Sequence, residues 1–95
     1  MINALIVDDK DDVAVAIEAI KKGDLVTYRL KNGEEQSLQA LQDITIYHKI
    51  AVRDISKGQK VMKYGEHIGE ATCDIKKGEH VHVQNLQGVR ENLEV

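Results

Sequence analysis

The residues with the clearest chemical potential lie one position apart, in His80-Val81-His82. On a strand, successive side chains point to opposite faces, so His80 and His82 share one face and Val81 and Val83 the other. Two imidazoles on one face can share a divalent metal. On a solvated edge strand they are ordinary histidines. A catalytic metal site normally takes three or more protein ligands and leaves positions open, so this pair is incomplete. His48 or a partner chain is the candidate source of a third ligand.

His48 is followed by Lys49 in an alternating stretch, residues 44–53. An unbroken strand there places Ile44, Ile46, His48, Ile50 and Val52 on one face, with Lys49 and Arg53 on the other. His48 is then a hydrogen-bonded core residue. A strand that ends at His48 instead exposes an imidazole beside an ammonium, a proton donor or acceptor next to a carboxylate anchor. His67, within Tyr64-Gly65-Glu66-His67-Ile68-Gly69, reads as an exposed turn residue. Tyr64, just before Gly65, either offers its hydroxyl to a substrate or covers the core. Asp54 and Asp74 read as turn-stabilising carboxylates, and the lone Cys73 as a small buried hydrophobe.

The elements that position these groups are short. One phrase recurs three times: Ala19-Ile-Lys-Lys-Gly23-Asp-Leu-Val26, Asp54-Ile-Ser-Lys-Gly58-Gln-Lys-Val61 and Asp74-Ile-Lys-Lys-Gly78-Glu-His-Val81. Each reads as a strand end, a turn over a glycine able to adopt positive φ, and a new strand with an inward Val. The lysines of these turns, Lys21, Lys22, Lys57, Lys76 and Lys77, read as solvated surface. A period of two surrounds the turns: Val13, Val15 and Ile17 alternate with Ala14 and Ala16, and Val26, Tyr28 and Leu30 with Thr27 and Arg29. Asn32-Gly33 signals a hairpin with a type I′ turn, and a second hairpin turns near Gly65. Residues 37–42 allow at most a short helical turn. The pattern predicts a mainly β fold, a small barrel or folded sheet. Residues 1–90 form the domain, and residues 91–95 a C-terminal tail within the stretch Val89 to Val95.

Composition limits what such a domain does. With 95 residues, 42% hydrophobic, three Tyr, no Trp and no Phe, the core is aliphatic and small. A chain of this size buries only about 60 to 65% of its unfolded surface. A water-excluding cleft needs more walls than it can supply, so any chemistry calls for a partner chain. A net charge of -3 gives no basic footprint for nucleic acid. The apolar start runs into Asp8-Asp9-Lys10-Asp11-Asp12 without a signal-peptide pattern, and no stretch approaches membrane-spanning length. A single Cys excludes an intrachain disulfide. A cytoplasmic location is the expectation, with neither membrane nor nucleic-acid partners.

The ordered motifs His48-Lys49-Ile-Ala-Val-Arg-Asp54-Ile55-x-x-Gly58, Lys63-Tyr64-Gly65-x-x-Ile68-Gly69-x-Ala71 and Gly78-Glu79-His80-Val81-His82-x-x-Asn85 resemble the N-terminal domain of altronate and galactarate dehydratases. Stand-alone versions of that domain include the α subunit of (2R)-sulfolactate sulfo-lyase. The resemblance implies a SAF domain with a β-clip fold. It also implies a lyase subunit, unlikely to act alone, that removes water from a sugar acid to give a 2-keto-3-deoxy acid beside a large catalytic subunit. Release of sulfite from sulfolactate is the alternative, and a non-catalytic SAF binding or assembly module is another. By position the resemblance marks His48, Lys49 and Tyr64 as catalytic, Gly65 and Asn85 as contacts to a small anionic hydroxy-acid, and His80 and His82 as metal ligands. It further implies iron(II) or magnesium, held mainly by the partner. Gln84 departs from the family pattern, in which a second His is common.

Overall fold

The structure, a computed structural model, describes residues 1–88. Among them are no helices and nine strands: β1 (Ala4–Leu5), β2 (Val13–Ala16), β3 (Leu25–Arg29), β4 (Glu35–Gln39), β5 (Lys49–Ala51), β6 (Lys60–Lys63), β7 (Glu66–Ala71), β8 (His80–Val81) and β9 (Leu86–Gly88). The fold is mainly β, as the alternation predicts. All pairings are antiparallel, in sheets ordered β1-β2-β5-β8, β3-β4 and β6-β7-β9. The expected tail lies outside the described residues.

The strands are short because one unit interrupts the chain four times, not three. Residues 16–26, 40–50, 51–61 and 71–81 each begin with Ala, place Ile at the fifth position, turn, and enter a strand with Val or Ile. The copies interlock in pairs. Ile20 and Ile44 exchange both backbone hydrogen bonds, and so do Ile55 and Ile75. Each leading Ala carbonyl accepts the turn N–H of the other copy: Gly23 to Ala40, Tyr47 to Ala16, Gly58 to Ala71 and Gly78 to Ala51, all at 2.7–2.8 Å. Each pair is therefore a local two-fold with its backbone polar groups satisfied across the axis.

The second copy escapes a search for Ile-x-x-Gly because Tyr47 occupies the glycine position. Tyr47 adopts the same left-handed backbone, φ 70°, that Gly23, Gly58 and Gly78 adopt at 84–96°. The expected unbroken strand over residues 44–53 is thereby corrected: the chain turns at Tyr47 and only Lys49–Ala51 is strand. Lys49 is buried rather than sharing an outer face with Arg53.

Each pair surrounds its own core. Ile20, Ile44, Val26, Ile50, Tyr28 and Leu38 belong to the N-terminal lobe, and Ile55, Ile75, Val61, Val81 and Leu86 to the C-terminal lobe. The central sheet divides them, with Ala14 and Ile50 facing one cluster, and Val13 and Ala51 the other. β2 is thus largely buried on both faces.

The acidic run joins the lobes. Asp11, fully buried, accepts backbone N–H bonds from Val7, Asp8 and Gly65, while Asp12 accepts that of Met62 and lies 3.6 Å from Arg53. Carboxylates that receive several backbone donors are well satisfied despite burial.

Other local expectations change for equally local reasons. Residues 37–39 are strand, because the β3–β4 pairing claims their backbone groups. At Asn32-Gly33 only Gly33 has positive φ, and Leu30 accepts from Gly33 while donating to Glu34, so this hairpin uses a longer loop than a type I′ turn. The type I′ signature, two consecutive positive φ values, occurs instead at Tyr64 (56°) and Gly65 (78°). His67 lies within β7, partly buried, rather than in an exposed turn. Cys73 is exposed, not buried. Asp54 and Asp74 do stabilise turns, but each caps the turn of the opposite copy, at Lys77 and Lys57 respectively.

Candidate functional site

The two lobes meet where β5 pairs with β8, placing Lys49 opposite Val81 and Ile50 opposite His80. β5 ends the second copy of the unit and β8 the fourth. His48 stands immediately before β5, His80 opens β8, and His82 follows it at the start of a turn that includes Asn85. The backbone of the interlocked units thus delivers three imidazoles to one seam.

Their rings are nearly parallel. His48 and His82 stack with centroids 4.1 Å apart at 14°, and His48 and His80 at 5.0 Å and 11°. His48 Nδ1 and His80 Nε2 are hydrogen-bonded at 2.8 Å. One nitrogen of each ring falls within 4.8 Å of those of the other two. His80 and His82 do converge on one side, while Val81 is buried and Val83 is 69% exposed.

Lys49 is 4% exposed. Burial, reinforced by the Lys63 ammonium, brings its pKa down to about 8. Burial, followed by the charges of His48, His82 and Lys49, holds His80 below the ordinary histidine value. The same causes, with His48 and Lys49 as neighbours, lower His82. The seam therefore disfavours charge on His80 and His82 and lies beside an ammonium that loses its proton readily.

A second set of side chains fixes the strand that bears the rings. Gln42 Oε1 accepts the His80 N–H at 2.8 Å. Asn85, buried, donates from Nδ2 to the His80 carbonyl at 2.8 Å and accepts the His82 N–H at 3.0 Å. Gln84 Nε2 reaches His80 Nδ1 at 3.1 Å. The Asn85 amide, expected at the substrate, is here bonded at both ends to the histidine strand. Nothing in the sequence marks Gln42 as a partner of His80, because the contact spans separate copies of the unit.

Tyr64 and Gly65 lie on the β6–β7 turn. Gly65 N–H donates to Asp11, and the Lys63 ammonium sits 4.9 Å from the Tyr64 ring centroid. Among the described residues no hydrogen bond joins Tyr64 or Gly65 to the histidines. The link between this turn and the site runs through Lys63, whose charge acts on Lys49.

The donor set suits a cation. Three imidazole nitrogens are mutually close, and His82 Nδ1 is buried without a hydrogen-bond partner among the described residues. Such an orphaned lone pair or N–H in a polar cluster calls for a ligand or ion. Ligating nitrogens at adjacent positions on one metal stand about 3 Å apart, given metal–nitrogen distances near 2 Å, so the His48–His80 spacing needs little change.

Comparison with known proteins covers nearly the whole chain. The family profile "Altronate/galactarate dehydratase SAF domain" matches residues 2–89. The chain is 34% identical over 88 residues to the (2R)-sulfolactate sulfo-lyase subunit alpha of Chromohalobacter salexigens, covering 90% of this chain and 94% of that one. It is 41% identical over 77 residues to the altronate dehydratase of Escherichia coli and 38% over 79 residues to that of Bacillus subtilis. Those alignments cover 81% and 82% of this chain but only 14% and 15% of the dehydratases. Among the described residues, no helix is long and apolar enough to cross a membrane.

Proposed function

The chain belongs to the altronate/galactarate dehydratase SAF-domain family, and from that premise we propose that it forms one wall of a lyase site whose remainder is supplied by a larger chain. The reaction is β-elimination from a small hydroxy-acid anion, with a sugar acid as the leading substrate class. The observation that carries this reading is the seam of His48, His80 and His82 beside buried Lys49.

In the elimination, a base takes the proton from the carbon beside the carboxylate. The freed electron pair forms the carbon–carbon double bond, the β-hydroxyl leaves as water after gaining a proton, and the enol product tautomerises to a 2-keto-3-deoxy acid. The proton is weakly acidic, so negative charge on the carboxylate side must be stabilised as it develops. Lys49 is suited to provide that stabilisation, since below pH 8 its ammonium stands buried beside the histidine seam, where a carboxylate gains a strong charge-assisted hydrogen bond. His48, His80 and His82 would hold iron(II), which accepts imidazole nitrogen, and it would supply further stabilisation of that charge when bound; magnesium, which takes oxygen ligands, would be held by the larger chain. Asn85 and Gln42 keep the histidine strand in register. Tyr64 and Gly65, on the turn next to Lys63, would complete the site from that side only through substrate held against the larger chain.

Elimination of sulfite from sulfolactate is the second reading. It is favoured by the 94% coverage of the (2R)-sulfolactate sulfo-lyase subunit alpha, against 14–15% coverage of the altronate dehydratases. The two reactions differ in the leaving group. Co-purification from the native host with a larger chain, followed by assay for keto-acid and for sulfite, tests both. A stable complex that makes keto-acid from sugar acids is the expected result, and sulfite from sulfolactate selects the second reading. Neither product from a stable complex removes the lyase proposal.

A further inference from the structure

Gln84 touches the site without a role in the reading above. Its Nε2 lies 3.1 Å from His80 Nδ1 and 3.3 Å from the His80 carbonyl oxygen. A carbonyl oxygen only accepts, so the nitrogen end of the amide must face it, and the same NH₂ group donates its other hydrogen to Nδ1. Nδ1 therefore presents a lone pair, and the single hydrogen of a neutral imidazole sits on Nε2. That Nε2 is 2.8 Å from His48 Nδ1 and donates to it, which leaves the hydrogen of a neutral His48 on its own Nε2. The hydrogen bonds run one way, from Gln84 through His80 to His48. The carbonyl that orients Gln84 is itself held, since Asn85 Nδ2 donates to it at 2.8 Å and Gln42 fixes the adjoining N–H.

We infer that Gln84 is a positioning residue that fixes the tautomer of His80 and thereby opposes capture of a cation by that ring. A ring nitrogen binds a cation through its lone pair. In the arrangement held by Gln84, the Nδ1 lone pair is covered by the amide and Nε2 carries hydrogen. A histidine that ligates through Nε2 ordinarily donates its Nδ1–H to an acceptor. Gln84 supplies an acceptor only if its amide turns over, which abandons the bond to the His80 carbonyl. Cation loading is thus coupled to rotation of one exposed amide. The cation half of this inference rests on the proposed reading of the histidine seam, and the tautomer half stands without it.

The test uses the full chain, labelled with ¹⁵N-histidine, as wild type, Gln84→Met and Gln84→Glu. Long-range ¹⁵N–¹H spectra at constant pH near 7.5 report the tautomer of His80, and backbone amide spectra confirm that each variant is folded. The wild type is expected to show His80 protonated on Nε2. Gln84→Glu, whose carboxylate only accepts, is expected to move the hydrogen to Nδ1. Zinc titration by calorimetry is expected to show Gln84→Met binding about 2- to 10-fold more tightly than wild type, the equivalent of one lost hydrogen bond. His80 protonated on Nδ1 in the wild type, or an unmoved tautomer in Gln84→Glu, overturns the inference. Equal zinc affinities in wild type and Gln84→Met overturn the coupling and leave the cation reading standing, whereas absence of zinc binding in every variant removes that reading and the coupling together.

Discussion

The N-terminal and C-terminal lobes are built from the same interlocked unit, and they differ in how completely its symmetry is kept. In the C-terminal lobe Asp54 caps the turn at Lys77 and Asp74 caps the turn at Lys57, so the exchange is mutual. In the N-terminal lobe Asp43 caps Lys22, but the position that would cap Ile46 in return is Ala19. The same turn carries Tyr47, 71% exposed, in a left-handed backbone that glycine occupies in the other copies. A non-glycine residue there costs roughly 1 to 2 kcal/mol. The regular lobe is the scaffold, and the lapse in symmetry falls on the turn that leads directly into His48 and Lys49. Local stability has been given up next to the residues of the proposed site, a pattern common at functional sites.

The largest expected effect addresses the seam between the lobes. Replacing both His80 and His82 with Ala should lower turnover of the reconstituted complex by at least about 10³-fold, with the chain still folded by circular dichroism. Unchanged turnover would make the seam a structural joint and nothing more.

The next contrast sets equivalent glycines against each other. A Cβ on Gly78 would lie 2.5 Å from the Gln39 carbonyl oxygen, whereas one on Gly23 meets nothing within 4 Å, and both have positive φ. Gly78→Ala should therefore destabilise by about 3 kcal/mol or more and Gly23→Ala by about 1 kcal/mol, measured by urea denaturation. Equal losses would mean that backbone strain alone governs these turns in both lobes.

Lys49 provides an effect of opposite sign on stability and function. Its folded pKa, about 8, is below the unfolded value of 10.5. The unfolded chain thus binds more protons between those values, and stability rises with pH across that window. Below pH 8 the buried ammonium is a net cost, so Lys49→Met should stabilise the chain at pH 7 by about 1 to 3 kcal/mol while removing activity. In the wild-type complex, KM should rise as pH passes 8 and the carboxylate loses its cation. A destabilised Lys49→Met chain would show that the ammonium is better solvated than its burial implies.

The smallest effect repairs the broken exchange. Ala19→Asp supplies the missing cap to the turn at Ile46 and should add about 0.5 kcal/mol, read as a small upward shift in denaturation midpoint. No gain would show that Tyr47 has moved that turn away from the geometry of its counterparts.

These contrasts also explain what was legible in the sequence. Three copies of the unit show because glycine marks positive φ, and the fourth is hidden because Tyr47 accepts the same backbone without the marker. The supposed strand through His48 follows from that one substitution. Strand alternation brings His80 and His82 together correctly, although β8 ends at Val81 and the turn, not the strand, places His82. The aliphatic core and mainly β architecture are readable from periodicity. The roles of Gln42, Asn85 and Asp11 are not, because each is defined by a backbone group distant along the chain or held by a tight turn. Burial of Asp11 is the sharpest example, since a run of acidic residues reads as solvated until its backbone donors are known.

The cross-capping of the turns has a consequence for inheritance. Asp54 serves the turn at Lys77, and Asp74 the turn at Lys57, so a mutation in one unit is felt in the backbone of the other. Because each donor is a backbone N–H that any residue but Pro supplies, relatives should keep a capping side chain at 54 and 74 while positions 77 and 57 vary. The looser pair at 19 and 46 should vary independently, leaving the turn beside the histidines as the place where new specificities can arise without unravelling the scaffold.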